Sequence, residues 1–495
     1  MRFSLTEWTD GDELMAVRLQ KLEAIRGLGV EPFPRRYERT HRSREVIADF
    51  ERLEGTTVRV AGRLVGAIRH MGKAGFAHLL DGAGQIQIFF RKDSLGDAGF
   101  ALYRELDVGD FIGVEGAVVR TRTGEISVEA RELTFLAKAI RPLPEKWHGL
   151  SDVEKRYRQR YLDLIANPEA RETFATRSNV VREVRRFLDQ RGFVEVETPV
   201  LQQVASGAAA RPFATQSNAL DTTLYLRIAI ELYLKRCIVG GIERVYEIGR
   251  IFRNEGLSFK HNPEFTMLEL YQAYADYHDI MELVEQLVAH VTQTVLGTTV
   301  LTWQDATIDV TPPWPRHSMR DLLIEHAGVD YADYPDAASL QTAARNAGLH
   351  VDPEWSRAKV IDDLMSTYVE PKLVGPVFVI DYPAETTPLA KRRADHPDEV
   401  ERFEAYVGRM ELANAFTELN DPVEQRRRFE AQAVARSDDD ETVAVDEDFL
   451  EAVEHGMPPT GGLGIGIDRL VMLLTNRPTI REAILFPQLR PREAH

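Results

Sequence analysis

"RIFRNEGLSFKHNPEFTMLELY", residues 250–271, passes from one strand-like stretch through a charged loop into another. If EFTMLELY is extended, the period of two sets Phe265, Met267, Glu269 and Tyr271 on one face. At about 3.3 Å per residue, Phe265 and Glu269 stand ~13 Å apart, a span comparable to an extended aminoacyl nucleotide. One end of that face offers an aromatic platform, the other a carboxylate beside a phenol. On the preceding run the same alternation pairs Arg253 with Glu255. Arg253 offers a planar, charge-assisted fork for a phosphate or carboxylate, and Glu255 an acceptor for an exocyclic amine. The alternative is a charged hairpin at a subunit interface.

Two further stretches carry chemistry. In RFEAYVGRMELANAFTELND, residues 402–421, Asn414, Phe416 and Glu418 alternate on one strand face, with Glu404 and Glu411 nearby across a turn expected at Gly408. Burying several carboxylates is costly unless they meet cations, so a functional version of this hairpin requires Mg2+ or a basic ligand. The stretch GLGIGIDRL, residues 462–470, does not have the dinucleotide-binding arrangement, because its glycines alternate with apolar residues and lead to Arg469. Alternating glycines let a strand approach a backbone or a flat ligand closely, and the following LVMLL reads as a buried helix. Arg469 at its start is placed to face a nucleotide from the side opposite Phe265, as a charge and cation–π clamp.

Outward from these stretches, the 495 residues suggest two or three domains. Residues 1–55 read as an N-terminal helical extension, with Leu14, Val17, Leu22 and Ile25 near helical spacing and Gly27 and Gly29 ending the helix. Residues 56–138 break into five short strand-like runs separated by turn glycines and aspartates, which matches a small Greek-key barrel of the oligonucleotide-binding kind, the OB-fold. Residues 139–165, with two prolines and a glycine, read as a linker. Residues 166–495 alternate helices and strands and carry the chemistry, apart from a mostly helical insertion at about 315–375. The fold class expected is α+β.

Composition narrows the partners. Hydrophobic content of 44% and charged content of 28% are those of a soluble globular protein, and no apolar run is long enough to cross a bilayer. Acids fill the start of the chain where a secretory signal would be apolar, so a cytoplasmic protein with no membrane attachment is expected. A single cysteine, Cys237, excludes an internal disulfide and reads as a buried structural thiol. The net charge of -17 opposes broad attachment to nucleic acid but leaves room for local basic faces. Two candidates are Arg35, Arg36, Arg39, Arg42 and Arg44, and Lys155, Arg156, Arg158 and Arg160, each of which reads equally well as a solvated face with local ion pairs.

Taken together these stretches resemble the class II aminoacyl-tRNA synthetases. RGFVEVETPVL (191–201) resembles the first motif of that class, FRNEGLSFKHNPEF (252–265) the second and GLGIGIDRL the third. SGAAARPF, RIAIELYLKR, NPEFTMLELYQAYADY, ELANAFTELND and EHGMPPTGGLGIGIDR are similar to the lysine-specific branch of the aspartate-like subclass. The resemblance implies a catalytic domain built on an antiparallel sheet with flanking helices. It implies activation of L-lysine by ATP with Mg2+, transfer to the terminal ribose of tRNA(Lys), and a homodimer joined through the first motif.

It also implies residue roles. Arg253 would hold the α-phosphate and the substrate carboxylate, Phe265 would stack on adenine with Arg469 opposite, Glu255 would read the adenine amine, and His261 would meet the outer phosphates. Glu404, which also belongs to the ATP site, and Glu411 would bind Mg2+. Gly207 and Glu231 would receive the α-ammonium, Asn414 would orient the carboxylate, and Glu269, Tyr271, Phe416 and Glu418 would line the side-chain pocket. In the barrel, Phe76 would stack on the central anticodon uridine and Gln87 hydrogen-bond to it, with Glu125 beside them. Ser206 stands where the family often has glycine, and Thr387 where it more usually has serine.

No Ser/His/Asp or Cys/His arrangement supplies a nucleophile, so the expected catalysis rests on positioning and charge neutralisation by Arg253, Arg469 and Mg2+. Carboxylates without a cation partner would reject uncharged side chains strongly, and ornithine only weakly. Two rival readings remain: a paralogue that modifies a protein side chain, whose known relatives lack the barrel, and an RNA-binding protein with an inert catalytic half. Aspartyl or asparaginyl specificity fits an acidic pocket poorly.

Overall fold

The computed structural model describes residues 12–144, 150–208, 210–436 and 445–491. The chain divides between Val153 and Glu154 into two compact units.

In the first unit, strands Thr57–Met71, Ala74–Leu80, Gln85–Arg91, Phe111–Arg120 and Ile126–Ala137 close into a barrel in the order first, second, third, fifth, fourth. Val58, Val60 and Leu64 alternate into its core while Arg59 and Arg63 alternate outward. A helix absent from the sequence expectations, Lys92–Arg104, joins the third and fourth strands and buries Phe100, Leu102 and Tyr103. Its periodicity is obscured by Gly96, which kinks it at φ 71°. The N-terminal helix spans Glu13–Gly27 and is capped by Asp12, which accepts from the Met15 N–H at 3.1 Å. Its buried stripe is Met15, Leu19, Leu22 and Ile25; Leu14 and Val17, expected inside, face solvent. Spacings of four and three give the stripe of Met15, Leu19 and Leu22 a straighter line along one helix face.

The second unit is built on an eight-stranded sheet. In spatial order its strands are Arg316–Ser318, Val377–Pro383, Glu399–Val407, Met410–Thr417, Thr460–Gly466, Glu264–Ala273, Arg244–Phe252 and Val194–Glu195. The two edge pairings are parallel and all the others antiparallel. One face packs on helices Pro168–Asp189, Tyr277–Leu296 and Ile467–Thr475: Leu268, Leu270, Ala415, Leu463 and Ile465 meet Val184, Val284 and Leu470 there. The opposite face carries the polar residues.

Other expectations are redrawn. The insertion holds helices Met319–Ala327, Ala337–Asn346 and Arg357–Leu364 around its own core. The segment expected as a linker ends in helices Val153–Arg158 and Arg160–Ala166, while its residues 145–149 lie outside the described ones. Arg160 there is buried against Asp163 at 2.5 Å and donates to the Leu485 and Arg481 carbonyls, so that basic cluster is partly an internal brace. Arg35, Arg36, Arg39, Arg42 and Arg44 are all exposed. Cys237 is half-buried rather than enclosed.

Candidate active site

Three neighbouring strands form the floor of the site. Asn414, Gly464 and Glu269 line up across them in one row, and Phe416, Gly462 and Tyr271 in the next. Strand Glu399–Val407 extends these rows to Glu404 and Arg402. Cross-strand partners share a face, so each row is a line of side chains on the polar side of the sheet. The glycines of GLGIG keep the middle strand bare between two lines of functional groups. A Cβ at Gly462 would overlap Glu418 Oε1 and the Tyr271 ring, and one at Gly464 would sit 3.0 Å from Met267 Cε.

Strict alternation from Asn414 would turn Glu411 to the helical face. The register slips between Ala405 and Tyr406, so that Ala405 pairs with Ala413 but Tyr406 with Glu411. This bulge returns Glu411 to the polar face, the kind of re-aiming bulges perform next to active sites.

Above the floor lies a cavity of about 530 Å3 with Gly207, Glu231, Glu269, Tyr271 and Glu418 at one end and Arg253, Glu404 and Glu411 at the other. A second cavity of about 270 Å3 contains Glu255, His261, Phe265 and Arg469. Arg253, Met267, Glu411, Asn414 and Gly464 border both. The two together have the size and mixed lining of a small-ligand site.

At the acidic end, Glu269 accepts the Ile230 N–H at 3.1 Å. Burial, aided by the charge of Glu231, pushes its carboxyl up to about 7. Burial pushes Glu418 up to about 8; Lys235 opposes the rise and Glu231 adds to it. Burial, with the surrounding carboxylates, also drives the Tyr271 phenol well above its usual value. Lys235, a cation the sequence reading did not include, is fully buried here with its Nζ 2.6 Å from Glu231 and 2.5 Å from Glu418. Glu418 Oε2 is thus ion-paired, while its Oε1 has no hydrogen-bond partner among the described residues. The i,i+4 spacing of Glu231 and Lys235 on helix Glu231–Val239 was the sequence signal for this pair.

The other end is cationic. The strand Arg244–Phe252 stops one residue before Arg253, so Arg253 and Glu255 lie in the loop and strand alternation does not relate them. Arg253 is instead held by the Ile228 carbonyl at 3.3 Å, with its guanidinium 5.3 Å from the Phe265 ring centre. Arg469 donates to the Glu411 backbone carbonyl at 2.6 Å and to its carboxylate at 2.9 Å. Burial works against the Glu411 charge, yet Arg469, with Arg402 and Arg253, holds its pKa below the usual value. Burial raises Glu404, against the pull of Arg402 at 2.6 Å. Arg402 also donates to Asn414 Oδ1 at 3.2 Å, which makes it a site residue the sequence reading missed. Glu255 and His261 sit at the rim with an exposed side; His261 Nδ1 is 2.9 Å from Ser258 Oγ, and partial desolvation of the ring where it faces the cavity, with the charges of Arg469 and Lys260, lowers its pKa. Near Gly207, Ser206 donates to Asp446 at 3.0 Å, and Arg236 binds the same carboxylate at 2.7 Å. Thr387 is buried beside the larger cavity.

On the barrel, Phe76 stacks on Phe89 at 4.6 Å with the rings 5° from parallel. Gln87 donates to Glu125 at 2.6 Å and accepts from Ser127 at 2.8 Å, and His78 contacts Glu125 at 2.9 Å. The register Phe76 to Phe89, and His78 to Gln87 to Ser127, sets all of these on one barrel face. Phe89 and His78 were not singled out in the sequence, although period two from Gln87 and from Phe76 leads directly to them.

This sheet, its glycine-floored cavity and the barrel are those of a known class. Residues 152–490 match the model of the class II tRNA synthetases (D, K and N), and residues 58–136 that of the OB-fold nucleic acid binding domain. A lysine–tRNA ligase of Moorella thermoacetica is 56% identical over 483 residues, covering 97% of this chain and 99% of the relative. That of Carboxydothermus hydrogenoformans is 54% identical with the same coverage, and that of Shouchella clausii is 51% identical over 99% of both chains. The chain belongs to the lysine–tRNA ligase family of class II synthetases.

Proposed function

We propose that this protein activates L-lysine with ATP and transfers it to the 3′-terminal ribose of tRNA(Lys). The observation that carries the reading is the buried carboxylate of Glu418, whose Oε1 has no hydrogen-bond partner among the described residues while its Oε2 is paired with Lys235, beside Glu269 and Tyr271 at one end of a cavity whose other end is cationic. A primary ammonium at the end of an extended side chain supplies the donors that such a carboxylate lacks.

In this reading the substrate α-ammonium lies near Gly207 and Glu231, and its side chain runs past Phe416 to Glu269, Tyr271 and Glu418. Its carboxylate meets Arg253 and Asn414. The carboxylate oxygen attacks the α-phosphorus, the bond to the bridging oxygen breaks, and pyrophosphate leaves. A ribose hydroxyl then attacks the lysyl carbonyl, AMP departs as the leaving group, and the hydroxyl proton passes to it or to solvent. Arg253 and Arg469 offset the charge that develops on the α-phosphate oxygens, Phe265 and Glu255 hold the adenine, and His261 meets the outer phosphates.

Glu404 and Glu411 fit Mg2+: both are hard oxygen donors bordering one cavity, and this ion is commonly held by one or two carboxylates with substrate phosphates completing the shell. When bound there it would neutralise phosphate charge.

The barrel face of Phe76, Gln87 and Glu125 would read the anticodon by stacking and hydrogen bonding. Val194, Val200 and Leu201, exposed in the first motif, support a homodimer through that segment. No described helix is long and apolar enough to cross a membrane.

The test is aminoacylation of unfractionated tRNA with labelled lysine. Acid-precipitable product from the wild-type chain, and a loss of about 100-fold or more in kcat/KM for lysine in Glu418→Gln, follow from removal of one partner of a buried ion pair. Equal activity of the variant would overturn the pocket assignment.

A further inference from the structure

Lys235 is a buried charged group against the Glu231 and Glu418 carboxylates that line the pocket, and the proposed chemistry does not use it. Its side chain is wholly buried, and its ammonium bridges Glu231 Oε1 at 2.6 Å and Glu418 Oε2 at 2.5 Å. The two rings closest to it, Tyr271 and Phe449, are 5.9 and 6.0 Å away. Other charged groups at this end are Glu269, Arg253 and Arg227, the last already paired with Glu247 at 2.6 Å, and Asp446, paired with Arg236 at 2.7 Å on the same helix as Lys235. Glu418 Oε1 lies on the side of Gly462 and the Tyr271 ring, with no hydrogen-bond partner among the described residues.

Three carboxylates and one internal ammonium leave two negative charges, and lysine brings two ammonium groups. We propose that Lys235 is a specificity-determining positioning residue, an internal cation that holds Glu231 and Glu418 together and sets the pocket's charge deficit at the two ammonium groups of the substrate. An amino acid with an uncharged side chain brings only one, and one buried carboxylate stays unbalanced or protonated. The inference rests on the lysine reading above and adds a part played by a residue that never touches the reacting atoms.

Removing the Lys235 charge removes what opposes protonation of Glu418, so lysine must expel a more tightly held proton. Removing Glu231 as well takes away a charge that favours protonation and restores the balance. The test follows the KM for lysine in ATP–pyrophosphate exchange from pH 6 to 9.5 in the full-length wild type, Lys235→Met, Lys235→Gln and Lys235→Met/Glu231→Gln, with the KM for ATP and the melting temperature alongside.

The single variants are expected to raise the lysine KM about tenfold or more at pH 7.5. They should move the pH at which it levels off upward by about one unit, with the ATP KM little changed. The double variant should return the pH at which the KM levels off toward the wild-type value, with the KM itself still raised because Glu231 no longer receives the α-ammonium. Where the single variants do not fold, the double variant, which keeps the wild-type net charge of the pocket, is compared with Glu231→Gln alone: the pH at which the KM levels off should shift downward in Glu231→Gln and match wild type in the double, while both carry a raised lysine KM from loss of the α-ammonium partner. An unchanged profile in the single variants, or losses that simply add in the double, would overturn the role of Lys235. Absence of lysine-dependent exchange in the wild type would instead overturn the lysine reading itself.

Discussion

Acidification should weaken lysine binding far more than ATP binding, because the two carboxylates that would receive the side-chain ammonium hold protons near neutrality. Glu269 is pushed up to about 7 and Glu418 to about 8, chiefly by burial. They share one pocket, so they titrate as a pair, and a bound ammonium requires at least one displaced proton. One proton displaced corresponds to about a tenfold rise in lysine KM for each pH unit below the pair's lower value, and two protons to a steeper rise.

The same shifts set the stability. A carboxyl whose folded pKa lies above its unfolded value makes the folded state bind more protons, so stability falls as pH rises from the unfolded value through the folded one. For Glu269 that window runs from 4.5 to about 7, and the rise corresponds to roughly 3 kcal/mol of ionisation cost above it. A lysine ammonium would recover much of that cost, so thermal stabilisation by lysine should be larger at pH 8 than at pH 5.5. The assay is ATP–pyrophosphate exchange at saturating ATP across pH 6 to 8.5, with melting curves at the two extremes. A lysine KM that stays flat while the enzyme remains folded would refute this account of the pocket.

Three other outcomes follow from the geometry. Gly462→Ala drives a Cβ into Glu418 and Tyr271, so lysine KM should rise about tenfold or more and the melting temperature should fall, by an overpacking cost of about 1–3 kcal/mol, while the KM for ATP changes little, as read by exchange and calorimetry. Phe76→Ala should leave lysine-dependent exchange intact and raise the KM for tRNA by roughly five- to 100-fold, the loss expected for one base stacked on an aromatic ring. Light scattering after size exclusion should give twice 56.1 kDa; a stable, active monomer would rule out the proposed dimer.

Much of the fold was legible because its signals are local. Alternation in EFTMLELY set Phe265, Glu269 and Tyr271 on one face, and the five barrel strands are separated by turn residues. Where the chain departs from ideal periods the sequence misled: Arg253 and Glu255 follow the end of a strand, and a bulge rather than alternation turns Glu411 toward the cavity. The glycines of GLGIG announced a close approach, but only the register identifies what approaches, namely Glu418 and Tyr271. In ELYLKR the spacing of Glu231 and Lys235 is visible, but nothing in the sequence marks the Glu418 that meets Lys235 from a distant strand.

The most direct test of the central claim is ATP–pyrophosphate exchange with each of the twenty amino acids and ornithine in turn. The account predicts strong exchange with lysine, weak exchange with ornithine, whose missing methylene is worth about 1–3 kcal/mol, and none above background with the others. Exchange driven by an uncharged or acidic amino acid, or the absence of exchange with lysine, would contradict it.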